Sequence, residues 1–223
     1  MPTKRNRICD WVTIKFEDIG NMLFAGLRRR RLNNTDFTII SNNCWGGHVY
    51  RRYGLEYKSP TIGLYFYAED YIKFLSNLEF YLKAPLTFID VNSSRHNCDL
   101  VRKGQKDVII GVLNNEVEVV FLHYNSKKEA YEKWNRRAGR INYDNLIVKF
   151  SQMNDCADEH LTRFAQMPFA KKVMFTAYSR EKCAVPIKRY VAGDQVVDDT
   201  TYFAKHIDLK KLINEGVIKN VIV

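Results

Sequence analysis

The chain has 223 residues, of which 46% are apolar, 27% charged and 13% aromatic, with only five prolines. That profile belongs to one folded domain and excludes disordered, collagen-like and low-complexity classes. The formal charge of +10 points to an anionic partner: nucleic acid, acidic lipid or a phosphorylated small molecule.

The charge is uneven. Met1 to Arg31 carries eight Lys or Arg against three acids, and Lys127 to Arg140 carries six against two. Both clusters also have a bland reading as solvated helix faces. The longest apolar runs, such as Val217 to Val223 broken by Lys219 and Asn220, fall short of the roughly 20 residues a membrane span needs. Met1 to Arg7 is basic, but Asp10, Lys15, Glu17 and Asp18 interrupt the apolar residues after it, so no secretory leader and a cytoplasmic chain are expected, with at most peripheral membrane contact. Five scattered cysteines without a CxxC predict free thiols rather than a zinc ribbon or a disulfide framework.

In chain order, Trp11 to Leu32 reads as a helix whose loose apolar stripe ends in Arg28 to Arg31, cations that suit the negative end of the helix dipole. Phe37 to Ser41 reads as a buried strand, Asn42 to Gly47 as a turn, and His48 to Tyr53 as a helix that Gly54 can stop. Thr61 to Phe66 reads as a second strand. Glu69 to Lys83 reads as one helix with Ile72, Leu75, Leu78 and Leu82 on a face. Asp90 to Lys106 is polar without periodicity and reads as an irregular excursion. Val108 to Val112 and Glu116 to Tyr124 flank Leu113-Asn114-Asn115 and suggest a hairpin there. Ser126 and Glu129 form a capping-box pattern that opens a helix over Lys127 to Arg140. Leu146 to Phe150 and Lys172 to Thr176 are strands separated by a helix around Asp158 to Gln166. Helices alternating with buried strands predict a layered α/β fold around a sheet that is mostly parallel or mixed.

The sequence places its best candidate site at Ser41-Asn42-Asn43-Cys44-Trp45-Gly46-Gly47, after a strand, where open α/β sheets bind ligands. Glycines let backbone N–H groups approach a bound group, and a helix start aims donors at it. That positive end would favour the Cys44 thiolate. Asn42, Asn43 and the amides of Gly46 and Gly47, with Trp45 among them, would hold an oxyanion. The alternative is that Cys44 is a small buried hydrophobe. As the base, His123 at a strand end and His48 four residues past Cys44 compete, with His123 preferred; His96, His160 and His206 read as surface. Arg136 and Arg140, four apart on one helix face, would clamp a diphosphate or sulfate, with Asn142 following in the loop. No HxxxH or HExxH pattern supports a metal. Walker, GxGxxG, GxSxG and kinase patterns are lacking. A spaced Asp-x-Asp pair is also lacking late in the chain, which weakens a metal-dependent glycosyltransferase. The basic ends lack interleaved stacking motifs, so only charge would carry a nucleic-acid reading.

The string FTIISNNCWGGHVYRRYGLEYKSPTIGLYF over Phe37 to Phe66 resembles the opening of a bacterial family carried as a domain of unknown function, whose members are often labelled exopolysaccharide biosynthesis proteins. Asp70 to Leu75, Phe121 to Tyr124, Glu132 to Arg137 with Arg140 to Asn142, Lys149-Phe150 and Lys172 to Thr176 continue the resemblance in order. It implies a three-layer, Rossmann-like α/β sandwich as a single domain, with residues 1–34 as a basic helical extension and 37–223 as the core. It also implies a place in surface-polysaccharide assembly, but supplies no reaction. Asp90 to Gln105 is longer and more polar than the family pattern, so no role passes to His96 or Cys98. A strand ending in Asn-Cys before a helix is also similar to the start of a capsule-biosynthesis acyltransferase family thought to bind coenzyme A.

The resulting expectation is a transferase that moves an acyl group from a coenzyme A thioester to a hydroxyl of a saccharide precursor, lipid-linked or free. Cys44 would be the nucleophile or a polar member of the oxyanion site, with His123 or His48 as base and Arg136, Arg140 and Asn142 on phosphate. The alternatives are a glycosyltransferase using a sugar nucleotide, or a noncatalytic module that uses Arg28 to Arg31 on anionic lipid.

Overall fold

The computed structural model describes residues 20, 23–178, 181–187, 191–201 and 203–218. Half of the helix expected over Trp11 to Leu32, and Cys9 before it, lies outside them; residues 23–29 are helical.

The framework is a parallel sheet of four strands, β1 (Thr38–Ser41), β5 (Leu146–Ser151), β6 (Lys171–Thr176) and β7 (Ala184–Pro186), hydrogen-bonded in the order β1-β5-β6-β7. Its strands read as apolar runs because both faces are covered. Ile40, Val148, Phe150 and Met174 point into one core, whereas Ile39, Ile147, Val173 and Phe175 point into the other. The first core is closed by α2 (Ala68–Ser76), α5 (Lys127–Ala138) and α6 (Asp158–Gln166) through Tyr71, Phe74, Trp134 and Phe164. The second is closed by α1 (Trp45–Tyr53), α7 (Phe203–His206) and α8 (Leu209–Glu215) through Trp45, Val49, Ala204, Leu209 and Leu212. Two helical layers around a parallel sheet make the expected α/β sandwich. Among the described residues no helix is long and apolar enough to cross a membrane.

The hairpin forms as its pattern predicts, but in a separate antiparallel sheet, β2 (Leu86–Ile89), β3 (Ile109–Leu113) and β4 (Val117–Phe121). Asn114 and Asn115 close it at φ 51° and 56°, a left-handed conformation asparagine tolerates better than most residues. Thr61 to Phe66 is not a strand. Gly63 turns the backbone to φ 76°, and only Tyr65 pairs, exchanging two 2.9 Å bonds with Val120. The expected helix over Glu69 to Lys83 breaks at Asn77 (φ −143°) into α2 and α3 (Leu78–Lys83). The break keeps Leu78 and Leu82 buried beside Ile72 and Leu75. The excursion from Asp90 holds a 3-10 turn and α4 (Asn97–Arg102), too short to show periodicity. Ser126 caps α5 by accepting from the Glu129 amide at 3.1 Å, but the Glu129 carboxylate returns to Asn125, one residue earlier than expected.

Candidate active site

The parallel strands end together at Ser41, Ser151 and Thr176, and the chain leaves β1 there through Asn42 and Asn43. The segment expected as a turn is shorter than its sequence implies: Cys44 is the helix cap, and Trp45, Gly46 and Gly47 are already helical. The glycines are there for packing. A Cβ on Gly46 would meet Ile39 at 3.1 Å and Ser41 Oγ at 3.3 Å, and one on Gly47 would meet Ile62 at 3.3 Å. Gly46 thereby lets α1 lie against β1, and Gly47 lets it lie against Ile62.

A cleft of about 450 Å³ opens beside Cys44. It is lined by Gly47, His48 and Arg51 of α1, by Tyr57, Ile62 and Gly63, and by His123, Tyr124, Lys133 and Arg137. The fold thereby brings Cys44 together with both expected histidines. His123 is exposed, and its backbone amide is fixed to the Gly63 carbonyl at 2.9 Å. His48 Nδ1 accepts from Arg51 Nη2 at 3.0 Å. Because arginine only donates, that nitrogen is the unprotonated one, and it is occupied.

Burial pushes the Cys44 thiol up to about 11, helped by Asp199 and opposed by Lys149, the Gly63 amide and Arg51. This is the reverse of the activation expected from the helix start. Desolvation outweighs the dipole here, and the sulfur lies 3.8 Å from the Leu64 carbonyl oxygen.

The two asparagines face inward, not toward the cleft. Asn42 exchanges two 3.0 Å bonds with the Ser151 backbone and ties the ends of β1 and β5. Asn43 sits in a buried network: it donates to Asp199 at 2.7 Å and accepts from Lys149 Nζ at 2.8 Å, while Lys149 and Ser151 also bond Asp199. Trp45 is fully buried with its ring edge on Phe175. The oxyanion role expected of Asn42, Asn43, Trp45 and Gly46 therefore has no geometry to support it; Gly47 alone of the five reaches the cleft. Asn142 is also misassigned by the sequence. It bonds Thr38 and the Asp36 carbonyl, at the start of β1, while Cys44 lies beyond the end of that strand.

The cation that the sequence did not single out is Arg137. It is 8% exposed, lies over the Tyr57 ring at 5.2 Å, and donates to the Ile62 carbonyl at 3.3 Å and Tyr124 Oη at 2.8 Å. Those partners are neutral. Arg51 and Arg137 make no ion pair among the described residues, whereas Lys133 pairs with Glu129 at 2.5 Å. The signal was in the helix period: Ala130, Trp134 and Arg137 share the buried side of α5. Arg136 and Arg140 instead border a second cleft of about 400 Å³, with Leu55, Glu56 and again Tyr57 and Arg137.

The remaining histidines are engaged in the fold. His96 stacks on Tyr67 at 3.6 Å and meets Asp70 at 2.6 Å. His160 accepts from the Ala157 amide at 2.9 Å and faces Glu69 at 3.0 Å. His206 is half-buried against Phe175, and burial pulls its pKa down. None is the surface group its sequence context predicted. Cys44, Cys98, Cys156 and Cys183 are free thiols. Among the described residues no group of three or more His, Cys, Asp or Glu is arranged to hold a metal ion.

Comparison with known proteins fits this arrangement into a family. An uncharacterized protein from Haemophilus influenzae is 33% identical over 172 residues, which span 76% of this chain and 77% of that protein. Residues 17–220 match the family described as a domain of unknown function, DUF1919. With nearly its whole length matched, the chain belongs to the DUF1919 family.

Proposed function

We propose that the chain is a transferase of surface-polysaccharide assembly, moving an acyl group from a coenzyme A-type thioester to a hydroxyl of a phosphate-bearing saccharide precursor. The observation that carries this reading is the meeting, in one cleft, of His123 and Cys44 with a buried arginine that has no counter-ion among the described residues. Buried charges are normally paired, so Arg137 calls for an anionic ligand. The resemblance to a family labelled for exopolysaccharide biosynthesis supports the pathway.

His123 takes the proton of the sugar hydroxyl, since the Nδ1 of His48 is already bonded to a cation. The sugar oxygen attacks the thioester carbon, a C–O bond forms, and the C–S bond breaks. The proton passes from His123 to the departing thiolate. Cys44 keeps its own proton and acts as a polar wall beside the reacting carbonyl. The test is release of free coenzyme A from acetyl-coenzyme A in the presence of saccharide precursors, with a parallel thermal-shift screen. Release that depends on His123 is expected; absence of both release and binding overturns the reading.

Glycosyl transfer from a sugar nucleotide is the second reading, favoured by the three cations Arg51, Lys133 and Arg137 around one cleft. Stabilisation by sugar nucleotides alone would select it. Peripheral contact with an anionic bilayer is supported by Leu23, Phe24 and Leu27, each more than half exposed, beside Arg30 and Arg31. Salt-sensitive co-sedimentation with anionic vesicles would test it.

A further inference from the structure

The two clefts meet at one wall. Tyr57 and Arg137 line both of them, with the guanidinium lying over the phenol ring. On one side stand Cys44 and His123; on the other, Arg136 and Arg140. Arg140 is partly satisfied, by Glu56 at 2.8 Å and the Tyr57 carbonyl at 3.4 Å. Arg136 makes no ion pair among the described residues, and neither does Arg137. Thus two guanidinium groups without carboxylates, one of them nine-tenths buried, flank a concave wall whose acid, Glu56, is already engaged.

We infer that the second cleft is a diphosphate subsite, and that the substrate crosses the Arg137 wall with its reacting end in the Cys44–His123 cleft. The inference rests on the transferase reading and names the substrate class: a compound whose reacting group hangs from a pyrophosphate. A single phosphate engages Arg137 alone. Two linked phosphates engage Arg137 and Arg136 together, with charge-assisted bonds that guanidinium groups make best. Arg140 closes the far side when Glu56 yields. A nucleotide, a coenzyme or a lipid can each supply this chemistry.

Isothermal titration of the full chain with inorganic pyrophosphate and inorganic phosphate tests the subsite. Pyrophosphate is expected to bind at least about tenfold more tightly. Arg136→Ala, at an exposed position, should remove most of that difference while leaving the melting temperature unchanged. Titrations with uridine diphosphate, coenzyme A and farnesyl diphosphate then identify the source, as the one that exceeds pyrophosphate. Equal affinity for phosphate and pyrophosphate, or an Arg136→Ala variant that binds pyrophosphate normally, overturns the inference. Tight pyrophosphate binding without thioester turnover supports the subsite and removes only the acyl step. Thioester turnover without pyrophosphate preference does the opposite.

Discussion

Arg137 donates to the hydroxyl oxygen of Tyr124 at 2.8 Å, and that hydroxyl in turn donates to the Ile62 carbonyl at 2.5 Å. The guanidinium is thereby held rigidly at the cleft wall by neutral groups that do not cancel its charge. Arg137→Met replaces a buried cation that lacks a carboxylate partner among the described residues with an apolar chain of similar reach. Removing the desolvation cost of that cation offsets its two lost hydrogen bonds in the empty protein. The melting temperature of the variant is expected to hold or rise, while affinity for anionic ligands falls at least about tenfold. A marked fall in melting temperature with anion affinity intact would assign Arg137 a purely structural role.

Cys44 and His123 separate by pH and by substitution. With the thiol held up to about 11 by burial, alkylation of Cys44 by iodoacetamide should be slow at neutral pH and climb toward pH 11. Rapid, selective labelling near pH 7 would restore the covalent mechanism. In the turnover assay, Cys44→Ala is expected to stay within about tenfold of the parent, whereas His123→Ala loses about 10²–10⁴.

The Lys149–Asp199 pair has no solvent exposure on either side chain. Removing one partner leaves a buried charge alone, so Lys149→Met or Asp199→Asn should each cost about 3–5 kcal/mol, read as a melting temperature lower by about 6–20 °C. The double variant should recover much of the loss, because it leaves no unpaired buried charge behind. Additive losses in urea melts would contradict this coupling.

Asp99 gives the chain an acid limb. Burial raises its pKa, but Lys103, the Tyr67 hydroxyl and Arg102 outweigh that and hold the carboxyl down to about 2, against an ordinary 3.8. A folded value below the unfolded one means the stabilisation is complete above about pH 4 and fades as pH falls toward 2. Asp99→Asn should lower stability at neutral pH and flatten the melting-temperature curve across that window. An unchanged curve would show that the contacts contribute nothing.

Much of the fold was legible in the residues. The apolar runs of β1, β5 and β6, the α6 span Asp158–Gln166 and the Ser126 cap all carry local signals. So does the cleft-lining trio of Cys44, His48 and His123, because strand ends and helix starts sit where open α/β sheets place ligands. The strand over Thr61 to Phe66 failed on one backbone angle at Gly63. The oxyanion asparagines failed because polar residues after a strand serve sheet closure as readily as chemistry. Arg136 and Arg140 were singled out by spacing alone, while the buried stripe through Ala130 and Trp134 pointed to Arg137.

Sequence by itself determined the alternation of helix and strand, the burial of both sheet faces, and the chemistry on offer near Cys44, since periodicity and side-chain type are local properties. Only the tertiary structure decided which groups meet. The ionisation of Cys44 depends on how much solvent the packed chain excludes from it. The charge of Arg137, unpaired among the described residues, depends on which carboxylates the packed segments bring near it. Both are sums over neighbours remote in the chain, and no local pattern contains them.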